Sequence, residues 1–178
     1  MNLRTFARVA IVLIAASGFT LPAQAAEKKI GKPVAKHGMS IAAVYLQPVK
    51  MQPAMAMKKR ADVHLEADVS ALKGNRHGLS EGAWVPYLTV AYHIAKADGS
   101  WSATGSFMPM VANDGPHYGA NVALAGPGKY RLTYSFQPPI QAGLFRHVDK
   151  ETGIAAWWPP FSITWEFTYL GVGKKGTY

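Results

Sequence analysis

The 178-residue sequence contains no cysteine. Disulfides, zinc–thiolate sites, iron–sulfur clusters and a cysteine nucleophile are therefore excluded. A blue-copper electron-transfer centre is excluded too, because its trigonal plane needs a thiolate. Any metal must be held by His, Met, carboxylate or backbone oxygen. Charged residues are sparse, at 16% against 49% hydrophobic, which indicates a globular chain rather than a disordered one. Long Ala/Glu/Lys/Leu stretches are missing, whereas strand-favouring residues, Gly and Pro are frequent. This predicts an all-β fold.

An apolar run long enough to span a bilayer is also missing. Residues 9–21 are mostly apolar but number only 13. Arg4 and Arg8 precede them, and Ala23-Gln24-Ala25 follows as a small-residue cleavage site. Residues 1–25 read as a secretory signal peptide, leaving residues 26–178 as one β-sandwich metal-binding domain. No lipobox-type cysteine follows. The expected destination is an exported compartment, most simply a bacterial periplasm.

The formal charge is +9, and without Arg4 and Arg8 the chain keeps 17 basic and 10 acidic residues. Export argues against nucleic acid as the partner, and the basic residues are spread out. Lys58-Lys59-Arg60 and Lys174-Lys175 read as a solvated loop and terminus.

Several segments carry strand signatures. Residues 27–38 read as a polar, extended lead-in. Residues 39–49, MSIAAVYLQPV, form a near-continuous apolar run, as in a strand buried on both faces. Residues 62–71 alternate: Val63, Leu65, Ala67, Val69 and Ala71 share one face, and Asp62, His64, Glu66, Asp68 and Ser70 the other. His64 and Glu66 are thus neighbours, roughly 6.6 Å apart by strand rise. They can ligate one metal or two adjacent ones, or simply form an exposed polar face. Residues 84–95 read as one long strand containing His93, taken as structural. Asp98-Gly99 marks a hairpin turn, and residues 101–107 return from it. Residues 120–124, 129–136 and 161–169 read as further strands, while residues 141–158 form a long irregular loop that contains His147. His77 sits in a loop and is expected to face solvent. Seven or eight such strands predict a β-sandwich.

Two stretches carry possible metal chemistry. Residues 107–121 read FMPMVANDGPHYGAN, with Met108 and Met110 around a proline, a turn string, then His117. Thioether is a soft ligand and imidazole a borderline one, and the turn between them can aim both at one point. Met51, Met55 and Met57 cluster around another proline. They read either as gap-filling side chains or as a soft-metal loop.

Three segments together resemble the periplasmic high-affinity iron-transport proteins of bacteria: ADVHLEADV, the stretch at residues 107–121, and GLFRH ending at His147. That family comprises cupredoxin-like, immunoglobulin-type sandwiches encoded with an inner-membrane iron permease. The resemblance implies a homodimer with a copper site in each subunit, ligated by one Met and three His. Carried over, these are His64, Met110, His117 and His147, with Glu66 as the acidic member for a second or iron position. Met110 matches by its distance from the DGPH string, and Met108 is the alternative thioether. One departure is that Gln52 and Lys58 stand in the Met-rich loop, where relatives often carry acids.

The function implied is a non-enzymatic periplasmic protein that supports iron uptake, with copper resident and iron as cargo. The alternative is a periplasmic copper carrier or copper-tolerance protein. An oxidase is the third class, but the sequence offers no Ser/His/Asp signature, phosphate loop or cofactor motif.

Overall fold

The computed structural model describes residues 27–54 and 60–172. The signal peptide expected at residues 1–25, Met55, Met57 and the Lys174-Lys175 tail lie outside them. The described residues form ten strands: β1 (Lys28–Lys29), β2 (Val34–Lys36), β3 (Met39–Leu46), β4 (Val63–Ala71), β5 (Thr89–Lys96), β6 (Ser102–Ser106), β7 (Met108–Ala112), β8 (Gly115–Val122), β9 (Gly128–Gln137) and β10 (Phe161–Tyr169). One antiparallel sheet runs β1–β3–β4–β8–β7, with β2 beside β1 along the same edge of β3. The other runs β10–β9–β5–β6. The all-β sandwich expected from the sequence is what forms. Among the described residues no helix is long and apolar enough to cross a membrane.

The period-2 patterns explain the packing. Val63, Leu65, Ala67 and Val69 of β4 turn inward with Ile41, Ala43 and Tyr45 of β3. They meet Tyr130, Leu132, Tyr134 and Phe136 of β9 and Ile163 and Trp165 of β10 in one buried core. Burying each large apolar side chain contributes about 1.5–3 kcal/mol. The hydroxyl of Tyr134 reaches through this layer and donates to the Glu66 carbonyl at 2.9 Å. Phe107 carries the chain from one sheet to the other, its N–H donating to the Val90 carbonyl at 2.8 Å.

The extended lead-in expected at residues 27–38 joins the sheet: β1 and β2 pair with β3, and Ile30 is buried in the core. Two expectations need correction. The strand expected at residues 84–95 begins only at Thr89. Before it, Trp84 makes a single bridge to Ser70, and Tyr87 adopts φ 61° just after Pro86. Proline removes a ladder donor and a positive φ leaves the extended region, so pairing cannot run through them. Finally, the segment at residues 107–121 is not a turn leading into a short strand at residues 120–124. It is a complete β7–β8 hairpin turning at Asn113-Asp114. Pro109 is tolerated because β7 is the sheet edge.

Candidate metal centre

The outward face of β4 is where the structure departs from an ordinary sandwich. Polar residues facing away from a core are normally wet, yet His64 is 0% exposed and Glu66 5%. Residues 46–52 fold back over this face and, with β7 and the β7–β8 turn, wall a cavity of ≈ 780 Å³. Its lining includes His64, Glu66, Met110, His117 and Met51. Strand register brings the donors together. Glu66 pairs with Gly119, His64 with Asn121, and Met110 with His117, so alternate residues of β4, β8 and β7 share one face.

His64 Nε2 lies 3.4 Å from Glu66 Oε1, and His117 Nε2 lies 3.3 Å from the same oxygen. The two imidazoles meet edge to face with centroids 5.9 Å apart. One ligand atom from each of His64, Glu66 and His117 falls within 4.8 Å of the others. Both Nε2 atoms are buried without a hydrogen-bond partner. Buried polar atoms are almost always paired, so two orphaned nitrogens converging on a carboxylate fit the chemistry of a cation site. Behind them each ring has an outer partner: His64 Nδ1 sits 2.9 Å from Asn121 Oδ1, and His117 is hydrogen-bonded to the Gly115 backbone. Metal-binding histidines are commonly oriented this way.

The electrostatics agree with that reading. Burial pushes Glu66 up to about 8, aided by the nearby carboxylates of Asp68, Glu27 and Asp114. Burial also pushes both histidines below their usual range. Neutral rings cannot hold Glu66 ionised, so the metal-free cluster keeps a proton on the carboxylate that a cation would displace. Asp68 is pushed up to about 6 by burial and then by Asp114. Asp68, Asp114 and Glu27 line an adjoining cavity of ≈ 380 Å³ that shares Glu66 and His117 with the first.

Met108, the alternative thioether, is 47% exposed and does not line the main cavity. His147 lies outside the cluster within one chain. It is exposed, with Nδ1 2.7 Å from Thr152 Oγ1, whose hydroxyl donates to Asp149 Oδ2 at 2.7 Å. That hydroxyl can then only accept from the ring, which leaves His147 Nε2 free. Next to it Phe145 and Val148 are 82% and 75% exposed. His93 is exposed on the outer face of the second sheet, between Thr104 and Thr133. His77, expected in solvent, is instead half-buried and stacked on Trp157 at 5.4 Å. The loop of residues 141–158 folds against it, and Ala155 N–H donates to the Arg76 carbonyl at 2.9 Å.

Sequence reasoning assigned no role to Gly119 and Asn121. A Cβ at Gly119 would stand 2.7 Å from His64 Nε2 and 3.3 Å from His117 Cδ2, so only glycine leaves room between the rings. Neither position carries a local signal in the sequence; only the β4–β8 register sets Gly119 opposite Glu66 and Asn121 opposite His64.

Known proteins share this architecture. FetP of uropathogenic Escherichia coli, expressed in the periplasm, is 48% identical with a TM-score of 0.80, covering 83% of this chain and 99% of its own. Copper-reconstituted P19 of Campylobacter jejuni is 47% identical with a TM-score of 0.80, covering 84% and 99%. A UPF0423 protein of Brucella abortus is 55% identical over 161 residues, 88% of each chain. Residues 24–171 match the family described as Fe2+ transport protein. With the match spanning both sheets and every residue of the buried donor cluster, the chain belongs to the Fe2+ transport protein family.

Proposed function

We propose that this chain is a periplasmic, non-enzymatic metal-binding protein that supports high-affinity iron uptake beside an inner-membrane iron permease, with a copper site built from His64, Met110 and His117. The observation that carries this reading is the pair of buried, unpartnered imidazole nitrogens facing Glu66 Oε1. Two imidazoles and a thioether favour copper, since divalent affinity peaks at Cu2+ and thioether suits Cu+. Copper-bound P19 and FetP variants support the choice of metal. Oxygen donors suit iron as cargo, and Glu66 links the imidazoles to the carboxylates of Glu27, Asp68 and Asp114.

His147 fills the fourth position from a second copy. Its Nε2 is free and the surface beside it is apolar, as a homodimer contact requires. The test is metal analysis of protein purified from its own periplasm, with His117→Ala as control. Copper at one per chain in the native protein and none in the variant is expected. Metal retained in the variant would overturn the site.

A second reading, a copper carrier or copper-tolerance protein, is favoured by one observation: Met51 supplies another thioether to the cavity wall. Deleting the gene separates the two. Lost iron uptake with normal copper tolerance supports the first reading, and the reverse supports the second.

A further inference from the structure

Asn121 on β8 is the cross-strand partner of His64 on β4. Its side-chain oxygen lies 2.9 Å from His64 Nδ1 and accepts the Val49 N–H at 3.2 Å. Its side-chain nitrogen donates to the Val49 carbonyl at 2.8 Å. Which end of an amide is oxygen must be deduced from its surroundings. Here Val49 decides it, because a backbone N–H only donates and a backbone carbonyl only accepts. Oxygen therefore faces His64, and Nδ1 must carry the ring proton. A neutral ring protonated at Nδ1 has a bare lone pair at Nε2. That is the buried, unpartnered atom 3.4 Å from Glu66 Oε1.

We infer that Asn121 is the positioning residue of the metal centre. It holds His64 as the Nδ1–H tautomer with Nε2 toward the cation, and through Val49 it ties that ring to the wall of residues 46–52. The inference rests on the metal-binding reading above. The same amide serves both a ligand and the loop that keeps it dry, so slack in one reaches the other. The loop end of the link matters because residues 46–52 also bring Met51 to the cavity. An asparagine that merely closed a loop would affect stability and leave the His64 tautomer and the metal affinity alone.

The experiment compares the full chain with Asn121→Ala and Asn121→Asp. In the metal-free proteins, 15N-histidine NMR reads the His64 tautomer. A carboxylate can still accept from both His64 Nδ1 and the Val49 N–H but gives up the donation to the Val49 carbonyl, so Asn121→Asp should keep the wild-type tautomer while loosening the loop. Asn121→Ala should give a tautomer mixture. Cu2+ titration against a competing chelator should then show affinity lower by about 10–100-fold in Asn121→Ala, as for other outer partners of ligand histidines, with Asn121→Asp recovering part of it. A wild-type His64 protonated at Nε2, or an alanine variant with unchanged tautomer and affinity, would overturn the proposal. A wild-type protein that takes up no copper would instead sink the metal-binding reading, while the NMR would still decide what Asn121 does to His64.

Discussion

Met110 stands directly across the β7–β8 ladder from His117, and that pairing separates two methionines that look equivalent in the sequence. Met108 is paired with Gly119 and half exposed. We expect Met108→Ile to change Cu+ affinity by no more than about two-fold and Met110→Ile to lower it by about ten-fold or more, because a soft thioether is lost. Competition with a chromophoric Cu+ chelator measures both. Equal losses would show that the register does not select the ligand.

Gly119 gives a test in which binding and folding part company. A Cβ there would press on His64 Nε2 at 2.7 Å. In a strand the propensity cost of such a change stays within about 1 kcal/mol. Gly119→Ala should therefore unfold near the wild-type temperature while its copper affinity drops by at least about ten-fold. Thermal unfolding and copper titration on the same sample would show it. Wild-type affinity would mean the rings do not close on this position.

Glu66 sets the pH behaviour. Its pKa in the folded chain is pushed up to about 8 from 4.5. The folded, metal-free chain therefore keeps a proton that the unfolded chain loses above the ordinary carboxylate pKa, so this contribution to stability is present at low pH and lost as pH rises toward 8. His64 and His117 are shifted down, so their penalty appears only below the unfolded value near 6.5. Asp68, at about 6, is largely ionised above that. Between pH 6.5 and 8 the stability of metal-free protein should fall by about 1–2 kcal/mol. Urea unfolding at the two pH values measures this, and Glu66→Gln should flatten the slope. Copper binding at pH 7 should release close to one proton, readable by calorimetry in buffers of different ionisation enthalpy.

A dimer-completed site predicts complementation. His117→Ala and His147→Ala homodimers should each lack a copper site that survives purification. Mixing them through unfolding and refolding should restore one high-affinity site per heterodimer, because one interface then holds both intact histidines. Absence of recovery, with heterodimers verified by mass spectrometry, would place His147 outside the site.

The strand alternation in β4, β9 and β10 was legible, because period-2 burial is a local property of the sequence. The candidate donors could also be picked out, since imidazole, thioether and carboxylate declare their chemistry wherever they stand, and His64, Glu66, Met110 and His117 line one cavity. The burial of His64 and Glu66 was not legible. It depends on residues 46–52 returning over the outer face, a tertiary event that no local pattern encodes. The β7–β8 hairpin was misread because Pro109, Gly115 and Pro116 carry turn signals, and edge position overrides them. His77 was placed in solvent because nothing in its own loop announces Trp157, eighty residues later. Gly119 and Asn121 escaped assignment for another reason: one contributes empty space and the other an outer hydrogen bond, and neither looks like a ligand.

The two faces of β4 divide the labour of the protein. Its inward residues complete a core that packs without any ion, and its outward residues form a vestibule held open by a glycine. Loading and unloading therefore need not melt the sandwich, unlike small domains in which the metal is the staple. Under the proposed function, one standing scaffold serves both the empty and the loaded protein, and access to the site is set by the loop of residues 46–52 rather than by refolding.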